Sequence, residues 1–193
     1  MESIYHFIDS SGHLLAEDAI GAGIDKSSFY DFVKNHRFEK VSPGLYITPE
    51  SWSDEAFILH TRCPQAIFSH DEALYHHGLI DREPQKPTIT IYTSYNTKRL
   101  TQSGVKVFTV KRELLEIGKT TYTNSFGHNI PIYDLERTIC DLIRSRSRFE
   151  IQDFQSALKS YVSRKDKDLT KLMEYAKLFH VDRIIRRYME VLL

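Results

Sequence analysis

Apolar residues along the first fifty positions recur at spacings that switch from helical to extended, and they predict a run of short elements. Ile4, Phe7 and Ile8 share one face of a helix over 2–9. The Ser10-Ser11-Gly12-His13 stretch ends it. Residues 16–22 predict a second short helix, with Glu17 and Asp18 in the first turn, where acids suit the positive end of the helix dipole. Gly23 supplies a turn. Asp25 is a good N-cap for a third helix, Lys26 to about Asn35. Phe29, Phe32 and Val33 fall on its inner face, and Lys26, Ser27, Tyr30 and Lys34 fall largely on the other. Two β-like runs, "FEKV" and "LYIT", then flank Ser42-Pro43-Gly44 and predict a hairpin. Helix, helix, turn, helix, hairpin is the order of a winged helix-turn-helix, here within residues 1–53.

The polar stretch "TPESWSDEAF" marks the boundary to a larger domain over 54–193. There a helix is expected across roughly 70–78. Residues 86–93 and 105–110 read as strands, the second alternating well. Residues 129–134 read as a strand end leading into Asp134 as a cap. The helix after Asp134 carries Leu135, Ile139, Leu142 and Ile143 on one stripe. Further helices follow at about 150–162, 168–179 and 181–192. The expected class is α+β: an N-terminal winged helix-turn-helix, then a larger mixed α/β domain ending in helices.

Composition adds a difference between the two parts. Residues 1–60 carry 4 Lys+Arg against 10 Asp+Glu, and residues 61–193 carry 22 against 16. Opposite signs suggest modules with different surfaces. No apolar run approaches the roughly 18 residues of a membrane span, and the N-terminus has no basic, then apolar, leader pattern. Cys63 and Cys140 stand alone, without CxxC or histidines at ligand spacing, which fits ordinary thiols of a cytoplasmic protein.

Catalytic signatures are missing: there is no GxGxxG, Walker A, HExxH or GxSxG. His70, His76 and His77 lie near Asp71 and Glu72, but the spacing is loose, and ordinary core or surface histidines are expected. No metal or other cofactor is expected. Asp134, Glu136 and Asp141 could suggest a metal nuclease, yet a cap and helix-internal roles explain them better. The third helix offers more. A recognition helix buries one face and carries polar and basic groups on the other into the major groove. Lys26, Ser27, Ser28, Tyr30 and Lys34 have that chemistry, and Arg37, Lys40 and Ser42 continue it along the hairpin. Within 26–48, four Lys+Arg face two Asp+Glu. The alternative is a winged helix used for protein contacts, since the domain as a whole is acidic. Arg144, Arg146 and Arg148 form a second basic group. It reads either as a solvated helix end or as a further nucleic-acid or partner contact.

The stretch "GIDKSSFYDFVKNHRFEKVSPGLYITPE" is similar to the N-terminal winged helix of AbiEi-type antitoxins of bacterial abortive-infection, type IV toxin–antitoxin pairs. "FSHDEALYHHGL", "IPIYDLERTICDLIRSR" and the segment from Phe154 to Leu193 resemble later parts of that family, in order. The resemblance implies a cytoplasmic, non-catalytic transcriptional autorepressor. Its winged helix would bind double-stranded DNA at promoter inverted repeats. Its second domain would oppose a nucleotidyltransferase-like toxin without a stable complex and would assist cooperative DNA binding. It places DNA contacts on Lys26, Ser27, Ser28, Tyr30, Lys34, Lys40 and Ser42. Glu136, Arg137, Asp141 and Leu142 match a motif read as architectural. Asp31, His36 and Pro43 depart from the pattern, where a basic residue, Gly and Arg are common. Each removes or opposes a phosphate contact.

Overall fold

A computed structural model describes residues 2–192. The chain separates into a first unit, Met1–Pro64 with Tyr122–Ile130, and a second unit, Gln65–Thr121 with Pro131–Leu193. The expected boundary after residue 53 thus differs from the one seen after Pro64, and a distant segment joins the first unit.

The first unit runs α1 (Glu2–Tyr5), β1 (His13–Leu15), α2 (Ala16–Gly21), α3 (Lys26–Asn35), β2 (Glu39–Ser42), β3 (Leu45–Ile47) and α4 (Glu55–Arg62). The expected helix over 2–9 is cut short at Tyr5. Asp9 draws the chain into a turn instead: its carboxylate accepts from the backbone N–H groups of Ser11 and His13, both at 2.9 Å. Ile8 then bridges Leu14. Strand β1, which the sequence analysis left unassigned, makes the hairpin of β2 and β3 a three-stranded antiparallel sheet of order β1-β3-β2. Its register sets Leu14 opposite Tyr46. The polar stretch at 48–57 contains the start of α4, whose N-cap Asp54 accepts from the Phe57 N–H at 3.0 Å. Ile4, Leu14, Ala16, Ala19, Phe29, Phe32, Val33 and Tyr46 form a buried cluster.

The second unit holds β4 (Ile67–Phe68), α5 (Asp71–His76), β5 (Thr88–Tyr92), α6 (Lys98–Gln102), β6 (Lys106–Val110) and α7 (Arg112–Leu115). After these come the hairpin strands β7 (Lys119–Thr123) and β8 (Asn129–Tyr133), whose far ends, with the turn between them, count with the first unit. Helices α8 (Leu135–Arg144), α9 (Ile151–Ser163), α10 (Leu169–Leu178) and α11 (Asp182–Leu192) close the chain, with a short 3-10 turn at Arg146–Arg148. The sheet order is β6-β5-β4-β8-β7. Strand β5 pairs parallel with β6 and antiparallel with β4, which pairs parallel with β8. The fold is therefore mixed α/β, with two sheets and a helical C-terminal end. Among the described residues no helix is long and apolar enough to cross a membrane.

Helix α8 is the centre of the second unit. The Asp134 cap accepts from the Arg137 N–H at 2.9 Å, as its position in the sequence suggested. The apolar stripe read there is only part of what is covered: every residue from Leu135 to Ile143 is buried. The polar side is buried because each charge has a partner. Glu136 accepts from the Asp168 N–H at 3.0 Å. Arg137, fully buried, donates through Nε to Asp141 at 3.0 Å and through Nη1 to the carbonyls of Leu114 and Ile117 at 3.0 and 2.6 Å. Its guanidinium lies over the rings of Tyr133 and Phe179, 3.9 and 4.1 Å from their centroids. Gly118 allows this close approach. Its φ of +76° and the 2.5 Å that would separate an added Cβ from that of Arg137 both exclude a side chain.

Candidate nucleic-acid interface

Helix α3 begins where Asp25 stops the chain in an extended conformation and takes the Ser28 N–H at 3.0 Å. That hydrogen bond, with smaller contributions from the Ser28 hydroxyl and neighbouring N–H groups, holds the exposed Asp25 carboxyl below its ordinary pKa. The inner face is secured by Phe29, Phe32 and Val33, all buried. Lys26, Ser27, Ser28, Tyr30 and Lys34 are exposed on the outer side. Tyr30 is not wholly free there: its ring stands edge-on to Phe29 at 5.5 Å.

The C-terminus of α3 differs from the sequence expectation in an informative way. His36, read as standing in for a helix-ending Gly, has φ −95° and needs no glycine. Its Nδ1 donates to the Phe32 carbonyl at 2.9 Å, its Nε2 meets the Tyr5 hydroxyl at 2.8 Å, and its ring stacks on Phe32. The left-handed residue is Arg37, at φ +57°. The Arg37 N–H donates to Lys34 and the Phe38 N–H to Val33, at 3.2 and 2.9 Å, which is the Schellman pattern. Arg37→Gly is therefore expected to raise stability by about 1 kcal/mol, because a side chain is disfavoured at that φ. Urea denaturation checks this, and a loss of stability would show that the arginine side chain itself secures the turn.

In the hairpin Lys40 is exposed, but Ser42 is only 6 % exposed. Ser42 sits just past the register shift in the pairing of β2 with β3. The shift turns it inward, so Ser42 does not belong to the exposed set with which the sequence grouped it. Among the described residues, Lys26, Lys34, Arg37 and Lys40 form no ion pair with an acidic side chain. Asp31 is also exposed, on the same helix.

The second basic group is partly committed within its own unit. Arg144 donates to Asp141 at 3.3 Å, and Arg148 lies over the Phe108 ring at 4.9 Å. Arg146 is exposed on the 3-10 turn. The loose histidine set near α5 has structural partners. His70 is buried at φ +51°, stacked on Phe108 at 3.4 Å, with its nitrogens against the Ser69 and Ser145 hydroxyls at 2.9 and 3.2 Å. Burial, then the surrounding Arg and Lys charges, drives its pKa well below the ordinary value. His77 Nε2 donates to the Tyr133 carbonyl at 2.8 Å. Asp141, considered above as a nuclease ligand, is buried against Arg137 and Arg144. Cys63 and Cys140 are free and buried, and burial pushes the Cys140 thiol pKa up.

One group that could hold a metal ion went unread in the sequence: Asp9, His13 and His128. The first pair is four residues apart, but outside a helix that spacing carries little signal. His128 is remote in the chain.

No protein-family model and no curated protein sequence matches the chain. Among solved structures, the crystal structure of RV2827C protein from Mycobacterium tuberculosis is similar, with a TM-score of 0.61 at 16 % identity over 88 % of this chain and 67 % of that one. At that identity the likeness is one of fold: most of this chain shares its architecture with the mycobacterial protein.

Proposed function

We propose that the chain is a DNA-binding transcriptional repressor of the AbiEi antitoxin type, with the first unit as its winged helix. The observation that carries this reading is the two-sided character of α3. Three apolar side chains anchor it, while Lys26, Ser27, Ser28, Tyr30 and Lys34 stand exposed in series. Ten residues of helix are about 15 Å long, a length that suits a major groove about 12 Å wide. Strands β2 and β3 follow directly and would serve as the wing, with Arg37 and Lys40 reaching phosphates. In this reading the hydroxyls and ammonium groups position the helix, and its central exposed residues meet base edges.

Binding to the chain's own upstream promoter fragment, measured by fluorescence anisotropy across a salt series, tests the assignment. Lys26→Ala with Lys34→Ala is expected to weaken binding and to reduce the slope of log K against log salt by about 2. Equal affinity and slope in the double variant would refute it. The antitoxin part of the reading requires that expression of the chain relieve growth arrest by a nucleotidyltransferase-like protein encoded beside it.

A second reading rests on exposed Asp31 and the acidic balance of residues 1–60. In it the same face docks a protein. Recovery of a partner in the presence of DNase, with no promoter binding at low salt, distinguishes the two.

A further inference from the structure

Three side chains unused by the nucleic-acid reading converge within the first unit. Asp9 lies in the turn after α1, His13 opens β1, and His128 lies in the turn between β7 and β8. One carboxylate oxygen and two imidazole nitrogens from them all fall within 4.8 Å of one another. Asp9 Oδ2 is 2.8 Å from His128 Nε2, and Asp9 Oδ1 is 3.9 Å from His13 Nδ1. The Ser11 hydroxyl stands among them, 2.8 Å from Asp9 Oδ1, 3.0 Å from His13 Nδ1 and 3.5 Å from His128 Nε2. Zinc bound tetrahedrally by N and O at about 2.0–2.2 Å sets neighbouring ligand atoms about 3.3 Å apart, so shifts under about 1 Å per ligand would close the set.

We propose that Asp9, His13 and His128 form a binding site for a divalent transition-metal ion, with zinc the best fit to two imidazoles and one carboxylate. On the His128 side the outer partners are those such a site needs, while the buried His13 Nε2 has no hydrogen-bond partner among the described residues. Asp54 Oδ2 takes the His128 Nδ1–H at 2.6 Å, which fixes the tautomer that leaves Nε2 free to ligate. Asp54 is itself secured by the Phe57 N–H and by Asn124 Nδ2, at 3.0 and 2.6 Å. Asn124 Oδ1 in turn accepts from the His128 N–H at 3.0 Å. The Phe57 ring stacks on that of His128 at 3.7 Å and 9°. His13 is buried, so its ring is held in place within the first unit. The site opens to solvent on the Asp9 side: side-chain exposure is 36 % at Asp9, 10 % at His128 and 1 % at His13.

The competing account is a metal-free bridge in which a protonated His128 ties Asp9 to Asp54. It leaves His13 to the Ser11 hydroxyl, 3.0 Å from its Nδ1, and to edge contacts with the Phe57 and His128 rings, since 3.9 Å from Asp9 is too long for a hydrogen bond.

Calorimetric titration of the chelator-treated full chain with zinc, and with cobalt for its visible spectrum, decides between them. The expected result is one ion per chain, with cobalt absorption of four-coordinate intensity. In nitrogen-15 spectra of the unsubstituted protein, zinc should shift His13 Nδ1 and His128 Nε2. Asp54→Asn should weaken binding by about 10–100-fold, and His13→Gln or His128→Gln should abolish it. Absence of stoichiometric binding, shifts confined to other histidines, or full affinity in His13→Gln would overturn the site. The spectra of the unsubstituted protein decide the matter even where a variant does not fold.

Discussion

Arg137→Met should destabilise the second unit by about 3–5 kcal/mol, the cost of breaking a buried ion pair from one side. Methionine restores much of the apolar stem but none of the guanidinium. Asp141, 1 % exposed, would keep only Arg144 at 3.3 Å. The carbonyls of Leu114 and Ile117 would lose the donor that now reaches both, and leaving such buried acceptors unpaired is part of that cost. The Tyr133 and Phe179 rings would lose the cation between them. That stacking also covers Nη2, which is buried and makes no hydrogen bond to the described residues. Arg137→Lys should recover little, because an ammonium cannot reach two carbonyls and a carboxylate in one plane. Urea denaturation followed by circular dichroism measures the effect. A loss below about 1 kcal/mol would mean that the charge is dispensable and that only side-chain volume matters there.

Phe29→Ala comes next, with an expected loss of about 3–5 kcal/mol in the first unit. Phe29 has no exposed surface and meets Tyr46 edge-on at 5.7 Å. It belongs to a small cluster, so the loss is a large share of the roughly 5–15 kcal/mol that holds an ordinary domain together. It also removes one of the three apolar residues that fix α3, so on the proposed nucleic-acid reading promoter binding should fall although no exposed residue has changed. Hydrogen exchange locates the damage. Protection should drop along α2, α3 and β1–β3, and unchanged protection of the α3 amides would contradict the central place given to this ring.

These two sites also show where the sequence could and could not be read. Around Phe29 the signals were local. Asp25 is a cap, Phe29, Phe32 and Val33 share a face, and Ser-Pro-Gly turns a hairpin; the observed α3, β2 and β3 lie within a residue or two of the expected bounds. Strands β5, β6 and β8 were legible for the same reason: each carries its own β-rich run. Strand β1 has three residues and β4 two, too short for any period to emerge. Helix α8 shows the deeper limit. Its apolar stripe was visible, but burial of its polar side depends on Leu114, Ile117, Asp168 and Phe179, none of them local to it. Ser42 fails similarly, because a register shift in the sheet decides which way it points. The Asp9, His13 and His128 group could not be read, since 115 positions part the two histidines.

The first unit is discontinuous in the chain, and this bears on how the protein is made. Residues 122–130 belong to it, and from that segment Asn124 and His128 hydrogen-bond to Asp54. During synthesis the amino-terminal helices and sheet emerge early, yet the side chain that caps α4 waits for partners some seventy residues downstream. The unit is finished only after residue 130 has left the ribosome, when most of the second unit's strands are already in hand. Cutting the gene after residue 64 would therefore yield a fragment lacking part of its own structure, and the two units are better probed by substitution than by truncation.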